Sequence, residues 1–547
     1  MKILGLHGCK NRTHDAAAAL VDGNLILAIA EEERFTRQKR AFDTSAKTAA
    51  GYCLRFAQKD INDIDAIAVG YNYSESDKPV FSAKAIEQYL PSSDYKITKK
   101  IPLYYVSHHL AHAASVYFTS PFSEAAILIV DGQGEDEATS IFRANGNDIK
   151  LLKKIKVDRS IGYLYSAISI FCGLGAFGAG KLMGLAAYGE SKYRNIVDKI
   201  FNKINLTNSK CGDKQEEFTE IVLSKLKCEG FTEAKATMVF NKFGGKLEKS
   251  PQILQVHKDL AASVQFFLED QLVCFAKEAE QLVKSDNLCI SGGVALNCVA
   301  NSVIENKKVF KNIFIQPACE DSGSALGAAL WVAKTKIRGE LSPYLGPDYS
   351  DEEIQEILKS NKIKARLYRN IERIAAKLIS RGEIVGWFQG RMEYGPRALG
   401  NRSILADPRR ESFKTKLNIA KGREIWRPFA PSILVEYGDK ILDDFVPSPY
   451  MLKSFKVKTD WKKRLSAVVH IDNSTRPQTV SKEMNTKFYN LITEFYKLTG
   501  TPAVLNTSYN FAGEPIVCTP NDAIKTFFSS GIDYLVLGNY LVEKDQR

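Results

Sequence analysis

Residues 2–30, KILGLHGCKNRTHDAAAALVDGNLILAIA, decide how the rest of the chain is read. Lys2–His7 is a short apolar run, Gly8–Arg12 a turn-rich loop, and Ala16–Val21 a second apolar run. Asp22-Gly23-Asn24 has the composition of a tight hairpin, whose positive φ angles Gly and Asn tolerate, and Leu25–Ala30 returns as a third strand. The plan recurs further along. Ala126–Val130 is a strand, Asp131-Gly132-Gln133-Gly134 a turn, Thr139–Phe142 a second strand, and Asn145-Gly146-Asn147 a hairpin before Ile149–Ile155. Two copies of strand, glycine turn, strand, hairpin and strand predict an internally duplicated α/β unit. Helices are predicted between these units, over Asp43–Lys59 with Thr44 or Ser45 as cap, and over Ser107–Thr119.

A duplicated unit of this kind is the plan of the ATPase class of actin, sugar kinases and heat-shock chaperones, which hold nucleotide between their halves. Residues 190–250, rich in Lys, Glu and Asn, read as an insertion, and a long amphipathic helix runs from Asp259 to about Lys284. Glycine and proline punctuation between 337 and 365 marks a boundary. At 547 residues the chain is too long for one core. Two domains are therefore expected, 1–355 and 366–547.

The net charge of +12 suits anionic partners, and without a long Lys/Arg run no nucleic acid is expected. Ten cysteines are scattered without a CxxC pair, several of them, such as Cys274 and Cys289, inside apolar runs. They read as reduced, buried thiols of a cytoplasmic protein. The amino terminus does not read as a signal peptide, and no apolar stretch approaches the roughly 20 residues that span a bilayer, so no membrane partner is expected.

Gly175–Lys181 has the spacing of a P-loop, but Leu182 stands where Ser or Thr must hold magnesium, so it is not a Walker motif. Lys181 can still approach a phosphate. His108 and His112 are four apart on a predicted helix and share one face, where two imidazoles reach one metal. Asp131 and Asp321 end strands, where further ligands would stand. Mixed nitrogen and oxygen ligands allow iron, manganese or zinc, and capping or core histidines are the alternative. Ser291-Gly292-Gly293 through Asn297 and Glu320-Asp321-Ser322-Gly323 each follow a strand and open a helix, an arrangement that offers backbone N–H groups to a nucleotide phosphate. The densest polar cluster is Gly390–Ser403, with Arg391, Arg397 and Arg402 among turn formers. Lys421, Arg423 and Arg427, then Arg476, then Asn506-Thr507-Ser508 follow it. Guanidinium forks and amides suit a phosphate and a small planar group such as a carbamoyl.

His14-Asp15, Glu31–Phe35, the His108/His112 pair, Lys181–Gly189, Ser291–Asn297, Glu320–Gly323, Glu393–Arg402, Arg427–Pro431, His470–Val480 and Asn506–Pro515 together resemble the NodU/CmcH family of O-carbamoyltransferases, in order from residue 3 to about 542. The resemblance implies an actin-like (ASKHA) N-terminal domain similar to tRNA threonylcarbamoyl-transfer ATPases, and a YrdC-like α/β C-terminal domain. It implies that the C-terminal domain makes carbamoyl-adenylate from carbamoyl phosphate and ATP. The N-terminal domain would pass the carbamoyl group to the hydroxyl of a small secondary-metabolite or sugar-like acceptor. Carried over by position, His14 with Asp15 is catalytic, and His108, His112, Asp131 and Asp321 hold a divalent metal, iron(II) first and manganese or zinc otherwise. Asp131, Gly132, Lys181, Gly292, Gly293, Asn297, Ser322 and Gly323 face ATP and its Mg2+. Arg397, Asn401, Arg402, Lys421, Arg476, Asn506 and Ser508 face carbamoyl phosphate. One departure stands out: many members have an acidic residue near Gly180, where this chain has Ala179-Gly180. A homodimer is left open. The competing expectations are a tRNA threonylcarbamoyl-adenosine enzyme and a nucleotide-dependent sensor or scaffold.

Overall fold

The computed structural model describes residues 1–8, 13–71, 98–206, 214–234 and 252–544, with short strands at 238–240 and 246–248. Most of the Gly8–Arg12 turn and parts of the 190–250 segment lie outside the described residues. β1 (Lys2–His7), β2 (Ala17–Asp22) and β3 (Leu25–Glu31) form the predicted antiparallel meander, and Gly23 takes the positive φ of +58° that its hairpin demands. β4 (Ala66–Val69) and β5 (Leu103–Tyr105) extend it to the order β3-β2-β1-β4-β5.

β6 (Glu124–Val130), β7 (Glu137–Asn145) and β8 (Asp148–Lys156) repeat the meander, again with a hairpin glycine, Gly146, at φ +58°. After the two-stranded pair β9 (Met238–Phe240) and β10 (Lys246–Glu248), β11 (Asn287–Ser291) runs parallel to β6, and β12 (Asn312–Phe314) parallel to β11. The sheet order is β12-β11-β6-β7-β8. Counting only the strands of each sheet, in chain order, both have the order third, second, first, fourth, fifth. The expected duplication is present as repeated topology.

The remaining strands are β13 (Ala365–Leu367), β14 (Val385–Phe388), β15 (Arg402–Ala406), β16 (Ala430–Leu434), β17 (Phe455–Lys456), β18 (Ser474–Thr475), β19 (Gln478–Val480), β20 (Ala503–Ser508), β21 (Tyr534–Leu537) and β22 (Tyr540–Glu543). Apart from the pair β17–β18 they form one eight-stranded mixed sheet, β13-β22-β21-β14-β15-β20-β16-β19. Successive residues of a strand point to opposite faces. Trp387 accordingly packs with Ile379, Leu491 and Phe495 on one side, while Phe388 packs with Leu358, Leu417 and Phe527 on the other. The whole chain is mixed α/β. It forms two compact units: one joins Met1–Ile67 to Leu341–Arg547, and the other is built chiefly from Leu103–Glu340.

Two local expectations need correction. The helix expected over Asp43–Lys59 spans Lys47–Phe56, and neither Thr44 nor Ser45 caps it. The buried carboxylate of Glu32 does so, accepting from Thr48 N at 3.1 Å and Ala49 N at 2.8 Å. A carboxylate there both satisfies free N–H groups and meets the positive end of the helix dipole. Cys274 is exposed, because its position on the helix Gln255–Val283 turns to solvent while its neighbour Val273 turns inward. Cys289 is buried as expected. No described helix is long and apolar enough to cross a membrane.

Candidate active site

In the unit built from Leu103–Glu340, the helix His108–Phe118 lies against the helix Ser322–Ala333 with no room for a side chain at Gly327. A Cβ there would overlap the carbonyl oxygen of Ala111 and lie 2.9 Å from Ser115 Cβ. That close approach brings Asp321, the N-cap residue of the second helix, to the histidines of the first. Gly327→Ala is expected to force the helices apart at a cost of about 1–3 kcal/mol. Thermal denaturation checks this, and an unchanged Tm would count against the glycine contact as the constraint.

His108 and His112, one helical turn apart, turn their Nε2 atoms toward each other at 3.1 Å. His108 Nε2 lies 3.6 Å from Asp131 Oδ2 and 3.4 Å from Asp321 Oδ1; for His112 Nε2 the same distances are 3.4 Å and 3.6 Å. Four donors about 2.1 Å from a common cation at tetrahedral angles would stand roughly 3.4 Å apart. The observed spacings match that figure. The opposite ring nitrogens face other partners: His112 Nδ1 meets Ser291 Oγ at 3.2 Å, and Ser291 Oγ donates to the Cys319 carbonyl at 3.0 Å. His108 Nδ1 faces the Gly70 carbonyl at 3.4 Å. Such second contacts fix which nitrogen turns to a metal. Asp131 Oδ2 is buried and faces the two imidazole Nε2 atoms, at 3.4 and 3.6 Å.

Electrostatics points the same way. Burial works against a charged His108, but Asp321 and Asp131 outweigh it and raise its pKa well above the usual histidine value. Asp131 is depressed despite its own burial and the nearby Asp321, because both imidazoles hydrogen-bond it. Two carboxylates facing two imidazoles favour positive charge at their centre, the role a divalent cation would take over on displacing protons. His109 is different. It contacts Ser140 Oγ through Nδ1 at 2.8 Å, and burial, then His108, hold its pKa well below the usual value.

The glycine turns gather beside the carboxylates. Gly132 N donates to Asp131 Oδ1 at 2.7 Å, and a Cβ on Gly293 would come within 3.1 Å of that oxygen. Gly292 has φ +94° and fits against the Val130 backbone. Ser322 Oγ donates to Glu320 Oε1 at 2.9 Å, and Gly323 leaves no room for a side chain against the Ala318 carbonyl. Lys181 stands in the first turn of the helix Ala179–Ala186. Asn297 serves the protein itself: it caps the helix Cys298–Asn306 and exchanges two amide hydrogen bonds with Gln265.

In the other unit, the arginine-rich segments converge. Lys421 is buried, with Nζ donating to the Ser508 carbonyl, to Asn510 O at 2.8 Å and to Asn510 Oδ1 at 3.1 Å. Burial, then the charges of Arg423 and Arg427, hold its pKa well below the usual lysine value. Arg423 is depressed by burial and by Arg427 and Arg476, with Glu424 in partial opposition. Arg427 feels burial first and also Arg397. Ser508 Oγ donates to Asn510 Oδ1 at 2.6 Å, and Asn506 Oδ1 is buried without a hydrogen-bond partner. Asn401 and Arg402 are not brought to this cluster's cations by any contact of their side chains. Arg402 is fully buried, donating to the carbonyls of Gln389, Gly390, Asn401 and Pro347, and Asn401 bonds Arg391 O and Asn485. Both brace the loop that carries Arg397.

His14, in the same unit, faces Asp15 Oδ2 through Nδ1 at 2.9 Å, and Arg40 Nη1 reaches the same oxygen at 3.0 Å. Asp15 itself takes a positive φ of +56°.

Residues 376–544 match the family described as Carbamoyltransferase C-terminus, and residues 2–92 and 77–330 match Carbamoyltransferase N-terminus. The chain belongs to the carbamoyltransferase family. An uncharacterized protein of Synechocystis is 36% identical over 601 residues, covering 97% of this carbamoyltransferase and 95% of the relative. Nodulation protein NolNO of Sinorhizobium fredii is 34% identical over 569 residues, covering 97% and 79%. Among solved structures, the activator of the 2-hydroxyisocaproyl-CoA dehydratase from Clostridium difficile with bound ADPNP aligns at a TM-score of 0.31 and 16% identity, over 61% of this chain and 94% of that one. The carbamoyltransferase is an enzyme of carbamoyl transfer, and the family implies carbamoyl phosphate and an acceptor as its substrates. Sequence reasoning placed Arg423 and Arg427 in the polar cluster suited to a phosphate but did not count them among the residues facing carbamoyl phosphate, though both lie within six residues of Lys421. It also missed the burial of Glu31–Arg34, a charge run that composition alone would leave in water.

Proposed function

We propose that this carbamoyltransferase is ATP-dependent and works in two half-reactions, divided between an actin-like domain, residues 1–355, and a YrdC-like domain, residues 366–547. The repeated sheet order supports the actin-like reading. The observation that carries the proposal is the convergence of Lys421, Arg397, Arg423, Arg427 and Arg476, whose mutual repulsion a small dianion would relieve. Carbamoyl phosphate is such a dianion, and Ser508 and Asn506 offer polar groups for its planar carbamoyl end. Water splits it to carbamate and inorganic phosphate. A carbamate oxygen attacks the α-phosphorus of ATP, and pyrophosphate leaves. The acceptor hydroxyl then adds to the carbamoyl carbon of the adenylate, AMP leaves, and the hydroxyl proton passes to His14, which Asp15 orients.

The nucleotide phosphates would lie at Gly132, Gly292, Gly293, Ser322 and Gly323, with Lys181 nearby and Mg2+ accompanying ATP. His108, His112, Asp131 and Asp321 fit a divalent cation, iron(II), manganese or zinc, which would supply positive charge against the adenylate phosphate. The acceptor is a hydroxylated small molecule.

Lys421 tests the reading. A dianion favours the ammonium form, so binding takes up a proton once the pH exceeds the depressed pKa of Lys421. The KM for carbamoyl phosphate is therefore expected to rise with pH through that pKa, and Lys421→Arg, always protonated, should flatten the profile. Lys421→Ala should cost roughly 1.5–3 kcal/mol of binding. Carbamoyl-phosphate-dependent pyrophosphate release measures both effects. Unchanged KM in Lys421→Ala would remove the assignment.

A further inference from the structure

Arg34 is fully buried between two carboxylates, Glu31 at 3.2 Å and Glu33 at 2.7 Å. A buried ion pair of this kind is weak evidence for stability, since apolar residues of similar volume commonly serve as well. Its geometry serves another end. Gly395 N donates to Glu31 Oε1 at 2.5 Å, and Arg34 Nη2 donates to the Gly395 carbonyl at 2.8 Å. Both backbone groups of one residue are thus gripped by one buried pair. Gly395 has φ +92°, a conformation that favours glycine, and Pro396 follows with its φ fixed by the ring. Arg397 comes next. On its other side, Glu393 Oε1 accepts from Leu399 N at 2.6 Å, Asn401 N at 2.8 Å and Arg402 N at 3.1 Å. Arg397 therefore stands in a short span between two anchors. Its own Nε is buried without a hydrogen-bond partner, so no bond at that nitrogen takes the place of the anchored backbone in holding the guanidinium.

We infer that Glu31 and Arg34 are positioning residues that aim Arg397 at the phosphate of carbamoyl phosphate. This rests on the reading of Arg397 as a ligand of that substrate. The step affected is binding and orientation, where a misplacement of about 1 Å from a distant change can cost on the order of 10²-fold.

The test compares full-length Arg34→Lys, Glu31→Gln, Arg37→Lys and Arg397→Lys proteins by pyrophosphate release, with KM measured separately for carbamoyl phosphate and ATP. Arg34→Lys keeps the charge but loses the fork that reaches Gly395. It should raise the KM for carbamoyl phosphate by roughly tenfold or more and leave the KM for ATP unchanged. Glu31→Gln should move the same constant in the same direction, and it decides the matter should Arg34→Lys fail to fold. Arg37 grips a different segment, donating to Ile516 O at 2.6 Å and Pro515 O at 2.9 Å, so Arg37→Lys should move neither constant. Folded Arg34→Lys and Glu31→Gln with normal constants, beside a raised constant in Arg397→Lys, would overturn the positioning role alone. Equal rises for both substrates in the Arg34 and Arg37 variants would also overturn it, as the mark of general loosening. An unchanged constant in Arg397→Lys would take down the ligand reading and this inference together.

Discussion

His14→Asn is expected to lose carbamoylated product by about 10²–10⁴-fold while pyrophosphate release dependent on ATP and carbamoyl phosphate continues. The asymmetry follows from what the imidazole does. A base at the acceptor hydroxyl matters only when the alcohol attacks, and the adenylate forms beforehand. Asp15 meets His14 Nδ1 at 2.9 Å and is itself held by Arg40 at 3.0 Å, so the ring is oriented before substrate arrives. Asparagine is close to histidine in size and polar, so the loop should keep its shape while the base is lost. Synthetic carbamoyl-adenylate should not rescue His14→Asn, whereas it should rescue Lys421→Ala. Equal loss of both half-reactions in a folded His14→Asn protein would defeat the division of labour, and unchanged product formation would defeat the base assignment alone.

The second large effect concerns His112. Its Nε2 is one of four donors within 4.8 Å of one another, and its other nitrogen is committed to Ser291. Removing a partner behind a metal ligand typically weakens metal affinity by about 10–100-fold, and removing the ligand itself should cost at least as much. His112→Ala should therefore lose metal by elemental analysis and lose carbamoyl transfer, while adenylate formation persists. Full transfer activity in a strong chelator, with no metal in the purified protein, would dismiss the site.

The meanders were legible because Asp22-Gly23-Asn24 and Asn145-Gly146-Asn147 encode their turns locally. The His108/His112 spacing was legible for the same reason, a single helical period. Asp131 was readable as a strand end, whereas Asp321, read the same way, lies seven residues beyond β12 at a helix N-cap, and their meeting depends on non-local packing, above all the glycine contact at Gly327. Arginine density around Gly390–Ser403 announced a polar site without telling which guanidinium turns inward. Arg402 braces the backbone whereas Arg397 stands by Arg427, and neighbouring residues of nearly identical surroundings in sequence part company only in three dimensions. The Glu32 cap shows the same limit: its partner N–H groups are sixteen and seventeen positions away.

The union of Met1–Ile67 with Leu341–Arg547 in one compact unit has a consequence for how the chain is made. A ribosome adds about 5–20 residues each second. The opening strands thus emerge on the order of half a minute to a minute and a half before the last of the partners that bury Glu31, Glu33 and Arg34. During that interval the nascent β1–β3 meander must stay soluble with its charged tail hydrated. The run of like charges at Glu31–Glu33, which later accepts burial, is well suited to keep the waiting segment in water.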